Sequence, residues 1–154
     1  MIDTPQIVQT SEQSTAAIHL TVPRSEIQTV MGPAIGEVIA VLSAQQIAPQ
    51  GSVFTSHFRR PTETFDFEVG VPVQQPVVPA GRVKPSVLPA TRVARTVYHG
   101  PYEGLGAAWG ELETWITANG HVSAENLWEC YRIGPESGLE PHLWQTELNR
   151  PLIG

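Results

Sequence analysis

Ile35-Gly-Glu-Val-Ile-Ala-Val-Leu42 and Trp109-Gly-Glu-Leu-Glu-Thr-Trp-Ile116 are one pattern written twice, at an offset of 74 residues. In the first copy Ile35, Val38, Ile39 and Leu42 fall at helical spacing, and in the second Leu105, Trp109, Leu112 and Ile116 do. Apolar residues at that spacing form one stripe along a helix, so each copy reads as an amphipathic helix. Ser25 with Gln28 offers a capping box for the first, which is expected to run to about Gln46, with Pro33 kinking or restarting it. Asn119-Gly120 supplies the stop for the second.

The repetition continues outward. Val53-Phe-Thr-Ser-His-Phe58 aligns with Leu127-Trp-Glu-Cys-Tyr-Arg132 at the same offset, and Ile18–Val22 aligns with Val93–Val97 at 75. Phe65–Val73 aligns with Trp144–Leu152 at 79, with an aromatic, a Glu and a Pro in register. Alternation or β-branched content predicts strands at Ile18–Val22, Val53–Phe58, Phe65–Val71, Arg92–Val97, Leu127–Arg132 and Trp144–Asn149. Each copy is thus strand, helix, strand, strand. The predicted fold is α+β: two such modules joining in one antiparallel sheet, both helices on one face. The modules span about 15–73 and 82–152. Pro72, Pro76, Pro79, Pro85 and Pro89 are too dense for a central strand, and 74–81 reads as a connector.

Composition fits a single domain over 1–154, with 41% apolar and 16% charged residues. Nine Lys+Arg, with Lys84 the one lysine, against fifteen Asp+Glu give a net charge of −6, which argues against nucleic-acid binding by this chain. One cysteine, Cys130, excludes an internal disulfide framework. The start of the sequence lacks a basic and apolar leader, and Val38–Phe58, though free of Asp, Glu, Lys and Arg, is broken by Pro49, Gly51 and several polar residues. A cytoplasmic location and no membrane partner are expected.

Chemistry concentrates in the second half. Successive strand residues point to opposite faces, so Glu129 shares a face with Tyr131 and not with Trp128 or Cys130, while Gln145, Glu147 and Asn149 share another. If these strands pair, Glu129 and Glu147 can point the same way. Charge in mid-strand needs solvent or a partner, and a simply wet outer face would supply it. Against that bland reading stand Tyr98, Tyr102, Trp128, Tyr131 and Trp144 nearby. Carboxylate beside rings suits a flat, apolar cation, which gains both area and cation–π attraction. Two adjacent carboxylates would also repel each other, and one that keeps its proton can act as an acid. Trp109 and Trp115 read as core. His19, His57, His99, His121 and His142 show no metal-ligand spacing. Cys130 reads as a small buried hydrophobe, and the Gly100 and Gly104–Gly106 segments lack a phosphate-loop pattern, so no metal or cofactor is expected.

Tyr98-His-Gly-Pro-Tyr-Glu103 leading to Trp109-Gly-Glu-Leu112, preceded by Leu88-Pro-Ala-Thr-Arg-Val-Ala94, resembles the helix entry of the GyrI-like, or AraC-type effector-binding, domains. Trp128-Glu-Cys-Tyr131 and Thr146-Glu-Leu-Asn-Arg-Pro-Leu152 resemble that family's closing strands. The likeness runs from about 18 to 152 and is strongest in the second half. In the first, Pro23-Arg-Ser-Glu26 replaces the Gly-Pro-Tyr entry, and His57 and Phe58 depart from the usual strand. The resemblance implies a ligand cleft on the sheet face opposite the helices, with Glu147 meeting a cation and Glu129 and Tyr131 at further pocket positions. It also implies that family members sense drugs, sequester them, inhibit gyrase, or hydrolyse cyclopropane-containing compounds with pocket Glu and Tyr.

The expected function is therefore binding or sequestration of an aromatic or amphipathic cation by Glu147, Glu129, Tyr131, Tyr102, Tyr98, Trp128 and Trp144. One alternative is a hydrolase of reactive electrophiles using Glu147, Glu129 and Tyr131. Another is an inhibitor module that binds a protein partner. Too few residues precede Ile18 for a helix-turn-helix pair, so a DNA-binding part is expected on a separate regulatory chain, and a homodimer is the other expected assembly.

Overall fold

The computed structural model describes residues 2–59 and 63–153, with the Gln28 side chain outside the described set. The elements run β1 (Gln6–Gln9), β2 (Gln13–Pro23), a 3-10 turn (Arg24–Glu26), α1 (Ile27–Ala44), β3 (Phe54–His57), β4 (Thr64–Pro72) and β5 (Lys84–Leu88). Then come β6 (Arg92–His99), a 3-10 turn (Tyr102–Gly104), α2 (Leu105–Ala118), β7 (Val122–Ser123), β8 (Leu127–Ile133), two further 3-10 turns and β9 (Gln145–Ile153). The chain divides into two compact units, 11–90 and 1–10 with 91–154.

In the 11–90 unit β4 lies between β3 and β2, and β5 adds to the far edge of β2, all antiparallel. Alternate residues of the long central pair, Ala16, Ile18 and Leu20 of β2 and Phe67, Val69 and Val71 of β4, face α1 and close a core with Ala34, Val38 and Leu42. A strand that puts every second residue inward buries one face, which is why this register is held. Gly70 is a close-approach point: a Cβ there would overlap the Ala16 carbonyl oxygen and stand 2.9 Å from the Ala17 Cα.

In the other unit β6 lies between β1 and β9, β8 pairs the opposite edge of β9, and β7 pairs the end of β9. Ala94 and Tyr98 of β6 and Leu148 and Leu152 of β9 face Ala108, Leu112 and Ile116 of α2. This is the predicted α+β architecture, with a helix on one face of antiparallel strands in each unit.

Several boundaries differ from expectation. Helix α1 ends at Ala44, and Ser25 sits inside a 3-10 turn and caps nothing through its side chain. Helix α1 runs through Pro33 without restarting there. The Gln28 half of the predicted capping box lies outside the described residues. Strand β5 forms despite Pro85, because it is an edge strand and a missing N–H costs no ladder bond on its open side. Residues 2–10, assigned to neither module by sequence, belong with the second: β1 pairs β6, and the Asp3 N–H donates to the Val97 carbonyl at 3.0 Å. At the end of α2, Gly120 takes φ 78° as expected of a helix stop, and the His121 N–H returns to the Ile116 carbonyl. Among the described residues no helix is long and apolar enough to cross a membrane.

Candidate functional site

The site begins with how α2 is entered. Tyr98, 6% exposed, donates its hydroxyl to the Pro101 carbonyl at 2.8 Å. A Cβ at Gly100, whose φ is 148°, would stand 2.7 Å from that hydroxyl, and one at Gly104 would overlap it. The glycines of the Tyr98–Gly104 segment thus let a buried phenol fold against its own turn. Tyr98, proposed from sequence as a ligand contact, has its hydroxyl committed to shaping this entry.

The turn presents Tyr102. Its ring meets Tyr131 at 5.6 Å between centroids, near edge-on, and Trp144 at 5.1 Å, tilted. Such offset and edge contacts suit ring quadrupoles better than face-to-face stacking. Glu129, 8% exposed, lies beside them: it accepts from the Trp109 indole Nε1 at 2.7 Å and from the Tyr131 hydroxyl at 2.9 Å. Both of these donors are neutral groups. Burial, then the charges of Glu136 and Glu129, pushes the Tyr102 phenol up, so it stays protonated at neutral pH. One buried carboxylate and four rings therefore gather on the α2 side of the sheet, not on the face opposite the helices where the cleft was expected, because Glu129 pairs with Leu148, which faces α2. Thr146 also lies there, directly opposite Tyr131, with a buried hydroxyl that finds no hydrogen-bond partner among the described residues.

Glu147 is elsewhere. Strands β8 and β9 do pair, but Glu129 stands opposite Leu148 and Cys130 opposite Glu147. The predicted side-by-side carboxylates are corrected by this register: Glu129 and Glu147 point to opposite faces. Glu147 receives the Arg132 guanidinium at 2.5 Å, the Arg95 Nε at 3.4 Å and the Asn149 side-chain amide at 3.1 Å. Arg95 Nε also donates to Asn149 Oδ1 at 2.7 Å. Two guanidiniums and an amide occupy the carboxylate assigned from sequence to a ligand cation. Trp128 belongs to the Glu147 face, opposite Asn149, and is buried. Burial and then Glu147 push the Cys130 thiol up to about 12, so it is no nucleophile.

The predicted set thus splits. Glu129, Tyr131, Tyr102 and Trp144 come together, Glu147 and Trp128 stand on the other face, and Tyr98 supports the turn. Sequence reasoning missed Trp109, read as core: it packs partly buried against the α2 core and also turns its indole N–H to Glu129. Four residues after Leu105 and three before Leu112, it satisfied the stripe, and that masked the polar end.

A carboxylate among rings on a helix-covered antiparallel sheet is the arrangement of a small-molecule-binding domain. Residues 3–152 match the family model of the GyrI-like small molecule binding domain, and the chain belongs to that family. Among solved structures, the EcmrR C-terminal domain is 21% identical, with 97% of each chain covered and a TM-score of 0.85. In the EcmrR–DNA complex the match is 23% identical, with a TM-score of 0.84, and covers 97% of this chain but 57% of that one. SAV2435 bound to tetraphenylphosphonium is 12% identical over 99% of this chain and 95% of its own, TM-score 0.70. A hydrolase from Listeria innocua is also 12% identical, over 97% and 91%, TM-score 0.63. At these identities the likeness establishes the fold. No curated protein matches the chain in sequence.

Proposed function

We propose that this chain binds and sequesters flat or propeller-shaped aromatic cations, with Glu129 as the charge partner and Tyr102, Tyr131, Trp144 and Trp109 as the surrounding rings. The observation that carries this is the Glu129 carboxylate held between the Trp109 indole and the Tyr131 hydroxyl, beside the Tyr102–Trp144 ring pair. Two fixed donors orient the carboxylate, and the rings add apolar area and a negative quadrupole face, each favouring a cation over a neutral arene. That the fold neighbour SAV2435 is bound to tetraphenylphosphonium, an aromatic cation, supports this reading.

The test compares N-methylacridinium with acridine at pH 8, two rings of nearly equal shape and unequal charge, by calorimetric titration. The cation binds more tightly in the native chain. Glu129→Gln keeps shape and one acceptor but loses the charge, and should cut cation affinity about tenfold, roughly 1.4 kcal/mol, with acridine affinity little changed. Equal affinity for the two ligands in the native protein would end the proposal.

A second reading rests on the 2.9 Å Tyr131–Glu129 hydrogen bond. A carboxylate that can take a proton from water, next to a phenol that can give one, fits hydrolytic opening of a strained ring. Water oxygen would bond to a ring carbon as the ring C–C bond breaks and its other carbon takes a proton. Incubation with cyclopropanoid alkylators, followed by mass spectrometry, separates the two readings. Catalytic turnover lost in both Glu129→Gln and Tyr131→Phe supports a hydrolase. Stoichiometric uptake, with compound recovered unchanged after denaturation, is the outcome expected of a sequestering protein.

A further inference from the structure

The 11–90 unit repeats the ring site with its charge reversed. Pro23 and Pro101 are both extended, at ψ 148° and 156°, and each leads through a 3-10 turn into a helix, so Arg24 holds the place of Tyr102. His57 stands opposite Phe67 as Tyr131 stands opposite Thr146, and Thr55 opposite Val69 as Glu129 opposite Leu148. Phe65 then occupies the place of Trp144, two residues before the paired position.

Arg24 and Phe65 meet as Tyr102 and Trp144 do, and His57 adds ring contacts of its own. The Arg24 guanidinium carbon lies 5.6 Å from the Phe65 ring centroid, and His57 meets Phe65 edge-on at 5.6 Å. His57 also stacks on Phe67 at 5.2 Å. The imidazole is 6% exposed, and its Nδ1 is buried with no hydrogen-bond partner among the described residues. A buried polar atom left unpaired costs stability unless something else uses it. Arg24 also lines an open surface depression with Pro23, Ser25 and Glu63.

Where one unit offers a carboxylate among rings, this one offers a guanidinium and an imidazole against Phe65. Guanidinium pairs carboxylates in a two-pronged, charge-assisted geometry, and its carbon already rests against a ring face. We propose that the 11–90 unit carries its own binding site, at Arg24, His57 and Phe65, for aromatic carboxylates. Glu63 lines the same depression as Arg24 and opposes an anion beside it, so it sets a ceiling on affinity.

The probe is 2-naphthoate, titrated into the ¹⁵N-labelled chain, with neutral 2-naphthylmethanol beside it. The expected result is saturable movement of the Arg24 Nε–H signal and of the Ser25 and Phe65 amides, with the Trp109 indole signal still. The alcohol should bind about tenfold more weakly, Arg24→Gln should lower naphthoate affinity by about the same factor, and Glu63→Gln should raise it. N-methylacridinium affinity should not change in Arg24→Gln, so this result stands whichever way the Glu129 test falls. Naphthoate moving the Trp109 indole instead, equal affinity for acid and alcohol, indifference to Arg24→Gln, or no saturable shift up to about 10 mM would each overturn the proposal.

Discussion

Glu147→Gln should destabilise the protein by about 2 kcal/mol and leave its preference for cationic ligands intact. The native carboxylate, whose side chain is 11% exposed, sits between the Arg132 and Arg95 guanidiniums. Gln keeps an acceptor for the Asn149 amide but leaves two positive groups facing each other without a counter-charge. Breaking one side of a fully buried pair costs about 3–5 kcal/mol. Arg132 and Arg95 are 45% and 31% exposed, so solvent offsets part of that cost here. The midpoint of thermal unfolding should fall by about 6 °C. Replacing Glu147 and Arg132 together by Leu should recover only part of the loss, because Arg95 then keeps its bond to Asn149 Oδ1 but has no counter-charge. A stable Glu147→Gln protein that has lost cation selectivity would return Glu147 to the ligand site and remove Glu129 from it.

Acidification should cost up to about 3 kcal/mol through His57 alone. Burial between Phe65 and Phe67 holds its pKa down at about 4, against an ordinary 6.5. Between those values the unfolded chain binds a proton that the folded chain refuses, so stability is full above pH 6.5 and is lost as pH falls toward 4. Urea unfolding at pH 7, 5.5 and 4.5, in the native chain and in His57→Phe, isolates the contribution. Phe keeps a flat ring in the stack and cannot titrate, so between about pH 7 and 4.5 the variant should lose less stability by about 2 kcal/mol. Parallel pH profiles for the two proteins would show that His57 titrates normally.

What could be read from sequence was whatever leaves a periodic trace. Leu105, Trp109, Leu112 and Ile116 announce α2, and the alternation from Leu127 to Arg132 correctly separates Glu129 from Cys130. The pairing between strands leaves no such trace. Nothing in Trp144–Leu152 alone says whether Glu129 or Cys130 will stand opposite Glu147, and a shift of one residue sends a side chain to the other face. That one parity decides which Glu keeps company with rings and which with Arg95 and Arg132. Proline density hid β5 because the rule against proline in strands applies to central ones, and edge position cannot be seen before the topology is known. Trp109 was misjudged for a different reason: spacing reports where a side chain's bulk goes and says nothing of its N–H.

Strand β1 has a consequence for the order in which the protein is made. Residues 6–9 are made before every other strand described, yet their partner β6 lies at 92–99, and Thr96 further binds the Asp3 carbonyl through its hydroxyl at 2.7 Å. The 11–90 unit has all of its strands once Leu88 has been delivered, so it can fold while its neighbour is still incomplete. Until β6 arrives, the first segment is a strand with no ladder, trailing from a finished unit. A cut or insertion within residues 2–10 would therefore disturb not the unit that follows it in sequence but the one at 91–154, which holds Glu129.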